Sequence, residues 1–392
     1  MTLKQILAYQ LFLFVLITSC NRATRTNLVR LSPSDSIQIS IDSMTKQLNP
    51  SICYFEKNGK QIISLFNSFN GCVYFFNKSN ASEEKVIYIS RDSLKGIGKW
   101  KVIGFFATSL DSIFIYTAEF KLYLFDDFGR MKSSIDLSPF VDSTRRRFAS
   151  SKSSFPSYVY GINLHSIING KLYLTGLMDD TWNNTYINKS GTLIRADLSS
   201  GRTKYLSTYP SLYLHARWSI YYRLVFGDFI PKLNSFIFSF PADDNLYLKD
   251  TNGRDLSTVF AGSIYASSKI LPLAKEGAKI IQVSRVSDDH YWANLSYRYI
   301  LYDKYKDVFY RFVELPRSQS DSAEGFYKQY SIIILDKNLE IIGETKLQRG
   351  KIYIPGVMFI SKEGLNILKL SSNEDILKFI TFKLEHITTH EK

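Results

Sequence analysis

Cysteine is scarce in this chain, with three among 392 residues, at positions 20, 53 and 72. That excludes a scaffold held by a dense disulfide framework, and no Cys-x-x-Cys spacing is present to begin a zinc site. Proline is also sparse, at ten residues, and no low-complexity tract occurs. Five histidines are present, His165, His215, His290, His386 and His390. Signatures of common chemistries are missing: no Gly-x-Ser-x-Gly elbow, no His-Glu-x-x-His and no phosphate loop. These gaps leave no motif for an esterase triad, a zinc protease or a nucleotide phosphate site, and no metal or cofactor is expected.

Aromatic residues are plentiful, with 28 Phe and 26 Tyr, and the formal net charge is +13. Phe, Tyr, Ile, Ser and Thr favour strands and turns over helices. In a cytosolic protein such a charge would suggest nucleic acid. The first segment argues for export instead, so no nucleic-acid partner is expected. The apolar run from Ile6 to Ile17 follows Lys4. Its twelve residues span about 18 Å as a helix, short of the ~30 Å of a bilayer core. It reads as the core of a signal peptide.

The run ends Ile17-Thr18-Ser19-Cys20, which resembles the bacterial lipobox. Cys20 is then the lipidation site, carrying palmitate-type acyl chains whose many CH₂ groups make a stable membrane anchor. Asn21 after the cysteine implies, by resemblance, onward transport to an outer membrane. Arg22 and Arg25 stand where some surface-displayed lipoproteins carry acids, so a periplasm-facing anchor is expected, with surface exposure the alternative. The expected division is a signal peptide at 1–19, a lipidated tether at 20–35, one domain at 36–386 and a polar tail at 387–392.

Within the domain one phrase recurs: an alternating apolar strand, an Asp with turn residues, and a second strand. It appears as KLYLFDDFGRMKSSIDL, TLIRADLSSGRTKYLS, NLYLKDTNGRDLSTVF and SIIILDKNLEIIGETKL, with turn aspartates Asp126, Asp197, Asp250 and Asp336. Each phrase is a hairpin, and a strand-rich unit recurring at this spacing argues for a β-propeller. Four-stranded blades are expected at 52–90, 102–137, 158–206, 212–260 and 297–347. A last blade at 352–384 has three strands and takes its outer strand from 36–41. That gives an all-β propeller of six blades closed by both ends of the chain, or seven if the insertion at 261–296 is itself a blade. A two-sheet sandwich is the rival. Cys53 and Cys72 would lie on the first and third strands of a meander, about 9–10 Å apart, beyond the ~7 Å a disulfide tolerates, so two buried free thiols are expected.

The lipobox, the length and the segment YILYDKYKDVFYR…SIIILDKNLEIIGE resemble a family of bacterial lipoproteins known as a domain of unknown function, number forty-two twenty-one. The resemblance implies a six-bladed propeller lipoprotein and carries over no active site.

Acid pairs mark one face of such a ring. Asp179-Asp180 and Asp243-Asp244 fall in turns between second and third strands, and Asp288-Asp289 in the insertion. The same face would carry Arg145, Arg146 and Arg147, with Trp182, His290 and Trp292. Loops on a rigid scaffold are where binding groups gather. Carboxylates beside a Trp suit a sugar or peptide, and three arginines suit an anion. The plain alternative is that hairpin turns are polar anyway. The functions expected are a non-catalytic module binding a glycan, peptide or envelope protein, or else an exported polysaccharide hydrolase or lyase using these acids. A structural subunit of an envelope complex is a third. Six Asp-Ser-x triplets resemble O-glycosylation sites of some Gram-negative anaerobes; Ser143 and Ser322, in expected loops, are the best placed, and Asp-Ser also simply marks turns. DTNGRD at 250–255 resembles a calcium loop without its glutamate, and reads as a hairpin turn.

Overall fold

The structure, a computed structural model, describes residues 28–43, 45, 51–89, 102–117, 121–137, 154–156, 164–178, 191–214, 216–266, 269–275, 283–317, 328–348 and 353–387. The first strand, β1 (Val29–Ser40), belongs to the last blade. Blade one holds β2 (Ser51–Lys57), β3 (Lys60–Asn67), β4 (Cys72–Asn77) and β5 (Glu83–Tyr88). Blade two holds β6 (Val102–Ser109), β7 (Ser112–Thr117), β8 (Lys121–Phe125) and β9 (Met131–Asp136). Blade three holds β10 (Ser154–Pro156), β11 (His165–Ile168), β12 (Lys171–Met178), β13 (Leu193–Asp197) and β14 (Thr203–Tyr205). After a short strand β15 (Ala216–Arg217) comes blade four, with β16 (Phe226–Ile230), β17 (Ser235–Ser239), β18 (Asn245–Asp250) and β19 (Asp255–Phe260). An insertion carries β20 (Ala274–Lys275) and helix α1 (Val283–Ala293). Blade five holds β21 (Ser296–Asp303), β22 (Val308–Glu314), β23 (Tyr330–Leu335) and β24 (Ile341–Lys346). Blade six holds β25 (Tyr353–Ser361), β26 (Gly364–Lys369) and β27 (Ile376–His386), with β1 paired antiparallel to β27 along its length. Six blades form the propeller.

The insertion is not a seventh blade. Among its described residues, β20 pairs with β15 and the other regular element is α1. Blade three opens on two short strands, with β10 against the last three residues of β12 and β11 against the first four, so the blade reaches back to Ser154. Blade four begins at Phe226, not 212, because Ser211–Tyr213 and Ile220–Tyr222 form 3-10 turns around the buried Tyr213 and Tyr222.

The closing strand is longer than its sequence suggests. Residues 29–35 looked like tether, yet they pair with β27 from His386 onward. Val29 and Leu31 alternate into the core while Arg30 and Ser32 reach Glu385. A register shift between Pro33 and Asp35 interrupts the alternation and hides the strand. An outermost strand has one solvated face and accommodates such polarity.

The aromatic excess fills the blade junctions. Phe66 stacks on Phe105 between blades one and two, Tyr173 meets Phe236 between three and four, and Phe226 meets Tyr299 between four and five. Tyr54 stacks on Phe359 between six and one, with centroids 5.0 Å apart. Large flat side chains suit wedge-shaped gaps between twisted sheets, and each such pair adds about 0.5–1.5 kcal/mol beyond its burial.

The turn aspartates share one job. Oδ1 of Asp126 accepts the amides of Phe128 and Arg130, Asp250 those of Asn252 and Arg254, and Asp336 those of Asn338 and Glu340. Asp197 accepts from Ser199 and Ser200. All four lie between third and fourth strands. The calcium-like DTNGRD stretch is such a turn. Cys53 and Cys72 are free, two strands apart in blade one; Cys53 is buried, whereas Cys72 is only partly so.

Candidate functional site: the loop face and its helix

Antiparallel meanders put the first-to-second and third-to-fourth turns of every blade on one face, here the turn face. Second-to-third turns and the blade-to-blade connections lie on the other, the loop face. Asp243 and Asp244, between β17 and β18, and Asp288, Asp289, His290 and Trp292, in α1, are therefore on the loop face. Arg145, Arg146, Arg147, Asp179, Asp180, Trp182, Ser143, Ser322, His215 and Cys20 lie outside the described residues.

The acid pairs are not equivalent. Asp243 is buried and accepts from the Asn245 amide, its side-chain nitrogen and the Tyr247 hydroxyl. Main-chain carbonyls of Asp243, Asp244, Asn245 and Ala261, with Ser239 Oγ, accept from the guanidinium of Arg311, which lies 4.0 Å from the Tyr297 ring centroid. This turn is a blade-four socket for a blade-five arginine. Burial pulls Arg311 down to about 10, against the nearby phenols and carboxylates.

Helix α1 lies over the entrance of blade five. Asp288 accepts from Tyr221 at 2.8 Å, and Asp289 is exposed beside Arg285. His290 meets the Leu271 carbonyl through Nε2 at 2.8 Å, and an accepting carbonyl requires the proton on Nε2. Burial lowers its pKa. Trp292 carries Arg317 over its ring at 5.2 Å, and its carbonyl accepts the Arg317 amide. So α1 brings an exposed acid and a Trp–Arg stack to this face, while Asp243 is committed inward.

Beneath α1 lies a cluster that the sequence did not reveal. Glu314, at the loop-face end of β22, accepts from Tyr291 and Tyr330 at 2.7 Å and pairs with Arg298 at 3.2 Å. Burial opposes the charge of Arg298, yet Glu314 and the surrounding phenols outweigh it and raise its pKa. Lys328 donates to the Tyr291 and Asn294 carbonyls, and burial pulls it down to about 7. These residues come from four separated segments, and no spacing rule links them. Their contacts fasten α1 to the ring.

A second cross-blade contact sits among the inner strands. Cys53 donates to the Ala107 carbonyl at 3.3 Å and lies 3.9 Å from His165, which stacks on Phe106. Burial pushes the thiol up to about 11, so it stays protonated and is a packing group rather than a nucleophile. Among the described residues no three metal-ligating side chains converge, and no helix is long and apolar enough to cross a membrane.

A family profile described as a domain of unknown function, DUF4221, matches residues 27–346. The chain belongs to the DUF4221 family. A solved member of that family from Bacteroides vulgatus is similar at 21% identity and a TM-score of 0.74, over 92% of this chain and 99% of that one. At this identity the likeness shows the shared fold. BamB from Moraxella catarrhalis aligns at 10% identity and a TM-score of 0.37, over 92% of this chain and 100% of its own. A putative exported protein from Bacteroides fragilis aligns at 13% and 0.48, over 92% and 97%. Both are too distant to carry an argument. No curated protein matches the chain. Within this DUF4221 propeller, the insertion places a helix on the loop face between blades four and five.

Proposed function

We propose that this DUF4221 propeller is a lipid-anchored protein of the cell envelope, held through Cys20, that binds a glycan, peptide or protein partner non-catalytically on its loop face. The observation that supports the binding face is the insertion. A regular ring needs no helix at this point, yet α1 is fastened by a buried Glu314–Tyr291–Tyr330 network and carries the half-buried Trp292–Arg317 pair at the loop face. A guanidinium over an indole combines an aromatic surface with polar edges, which suits a sugar ring or a carboxylate-bearing peptide. The lipobox-like Ile17-Thr18-Ser19-Cys20 supports the anchor. A glycan and peptide array probed with the purified protein tests the face. A ligand it finds should bind at least tenfold more weakly to Trp292→Ala or Arg317→Ala, on the order expected for a stacked aromatic anchor. Unchanged affinity in both would place the site elsewhere.

A further inference from the structure

We infer that the turn face of the propeller rests on the bilayer that holds its anchor, touching lipid through apolar tips on alternate blades, and that the loop face points away from it. The inference rests on the Cys20 anchor proposed above. β27 ends at His386 and β1 begins opposite it at Val29, the position a third-to-fourth-strand turn would take in any other blade. The chain therefore enters the ring on the turn face, at the rim of blade six. From Cys20 to Leu28 are eight residues, which reach at most about 28 Å when fully extended. β1 has 12 residues, about 40 Å at strand rise. The tether is shorter than the strand it feeds, so it cannot carry the acyl group round to the loop face.

The turn face is equipped for such contact. Phe128, in the β8–β9 turn of blade two, is 71% exposed; Leu233, in the β16–β17 turn of blade four, is 56% exposed; Leu28, at the start of blade six, is 54% exposed. Blades two, four and six alternate round a ring of six, so the three tips form a tripod with the tether at one foot. Lys85 and Arg130 flank the Phe128 ring at 5.5 and 4.9 Å, and Lys232 adjoins Leu233. Each base also has a carboxylate partner, Asp127, Asp126 and Asp307 respectively. Contact thus depends on apolar tips entering the headgroup boundary, with the long basic side chains snorkelling beside them, more than on net charge.

Amine acetylation read by mass spectrometry tests this on the full mature protein. The protein is purified from a host that acylates it and placed either in phosphatidylethanolamine–phosphatidylglycerol vesicles or in detergent. Lys232, Lys304 and Lys337, on turn-face loops, should be protected several-fold in vesicles. Lys269 and Lys275, on the insertion, should react equally in both. The double variant Phe128→Ser, Leu233→Ser changes only exposed side chains and should lose most of that protection while keeping its acyl chains. Protection of Lys269 and Lys275, or of no lysine in an acylated protein, overturns the orientation and leaves the anchor standing. An intact mass without acyl chains refutes the anchor itself, and the orientation with it.

Discussion

Single residues join blades that are distant in the chain. Arg311 serves five acceptors, four of them carbonyls of blade four, and is fully buried. Removing it strands those carbonyls without donors, so Arg311→Met should cost about 3–5 kcal/mol in urea unfolding. Arg311→Lys should recover little of this, because an ammonium cannot reproduce the planar fork. Lys328 gives a pH signature. Its folded pKa of about 7 lies below the unfolded value of 10.5, so the unfolded chain holds the extra proton between them. Stability from this group is therefore lost as pH falls through 7 and grows as pH rises toward 10, by on the order of 2–4 kcal/mol. Thermal melts from pH 7 to 10 should show that rise in the native protein and not in Lys328→Met. None of these partnerships was legible in the chain, since Glu314, Arg298, Lys328 and Tyr291 carry no motif and meet only once the blades close. Acid pairs were visible as pairs, but their chemistry depended on burial. Asp243 turned inward to Tyr247, and Asp289 stayed in solvent.

At the scale of elements, the hairpin phrase is legible in the sequence because its determinants are local. An Asp that caps its own turn needs only the next four residues. In blades two and four the third-to-fourth turn also presses against the preceding blade, at Gly129 and Gly253. Gly129 has φ +74, and a Cβ there would lie 2.1 Å from the Tyr88 carbonyl oxygen. Gly59, in a first-to-second turn, has φ +77 and open space around it. Both lose glycine's freedom on substitution, so Gly59→Ala should cost about 1 kcal/mol. Gly129→Ala adds a backbone clash and should cost roughly twice that or more in denaturant unfolding. Equal losses would mean that the turn does not touch its neighbour. In blade five the matching position is Leu339, at φ 65, with its side chain buried in the core, so there packing outweighs the backbone preference. Boundaries were less legible than types. The extension of β1 to Val29 and the split entrance of blade three depend on partners far away in sequence, which no local alternation encodes.

At the scale of the molecule, blade count and ring closure followed from the repeat and from the missing fourth strand of the last blade. The insertion's form did not, because a helix of modest amphipathicity in a polar connection leaves a weak pattern. Closure by β1 places the chain's entry on the turn face, and the proposed anchor and loop-face site both take their geometry from it. The ion pair between Asp35 on β1 and Lys383 on β27, 3.2 Å apart and exposed, offers a direct probe of that closure. A zero-length carbodiimide joins a carboxylate to an amine only where the two already touch. Ring closure predicts an Asp35–Lys383 link in the folded protein, formed as readily as the Lys85–Asp127 link at 3.0 Å and not formed when the chain is first unfolded in urea. Formation of the Lys85–Asp127 link without any Asp35–Lys383 link would contradict it.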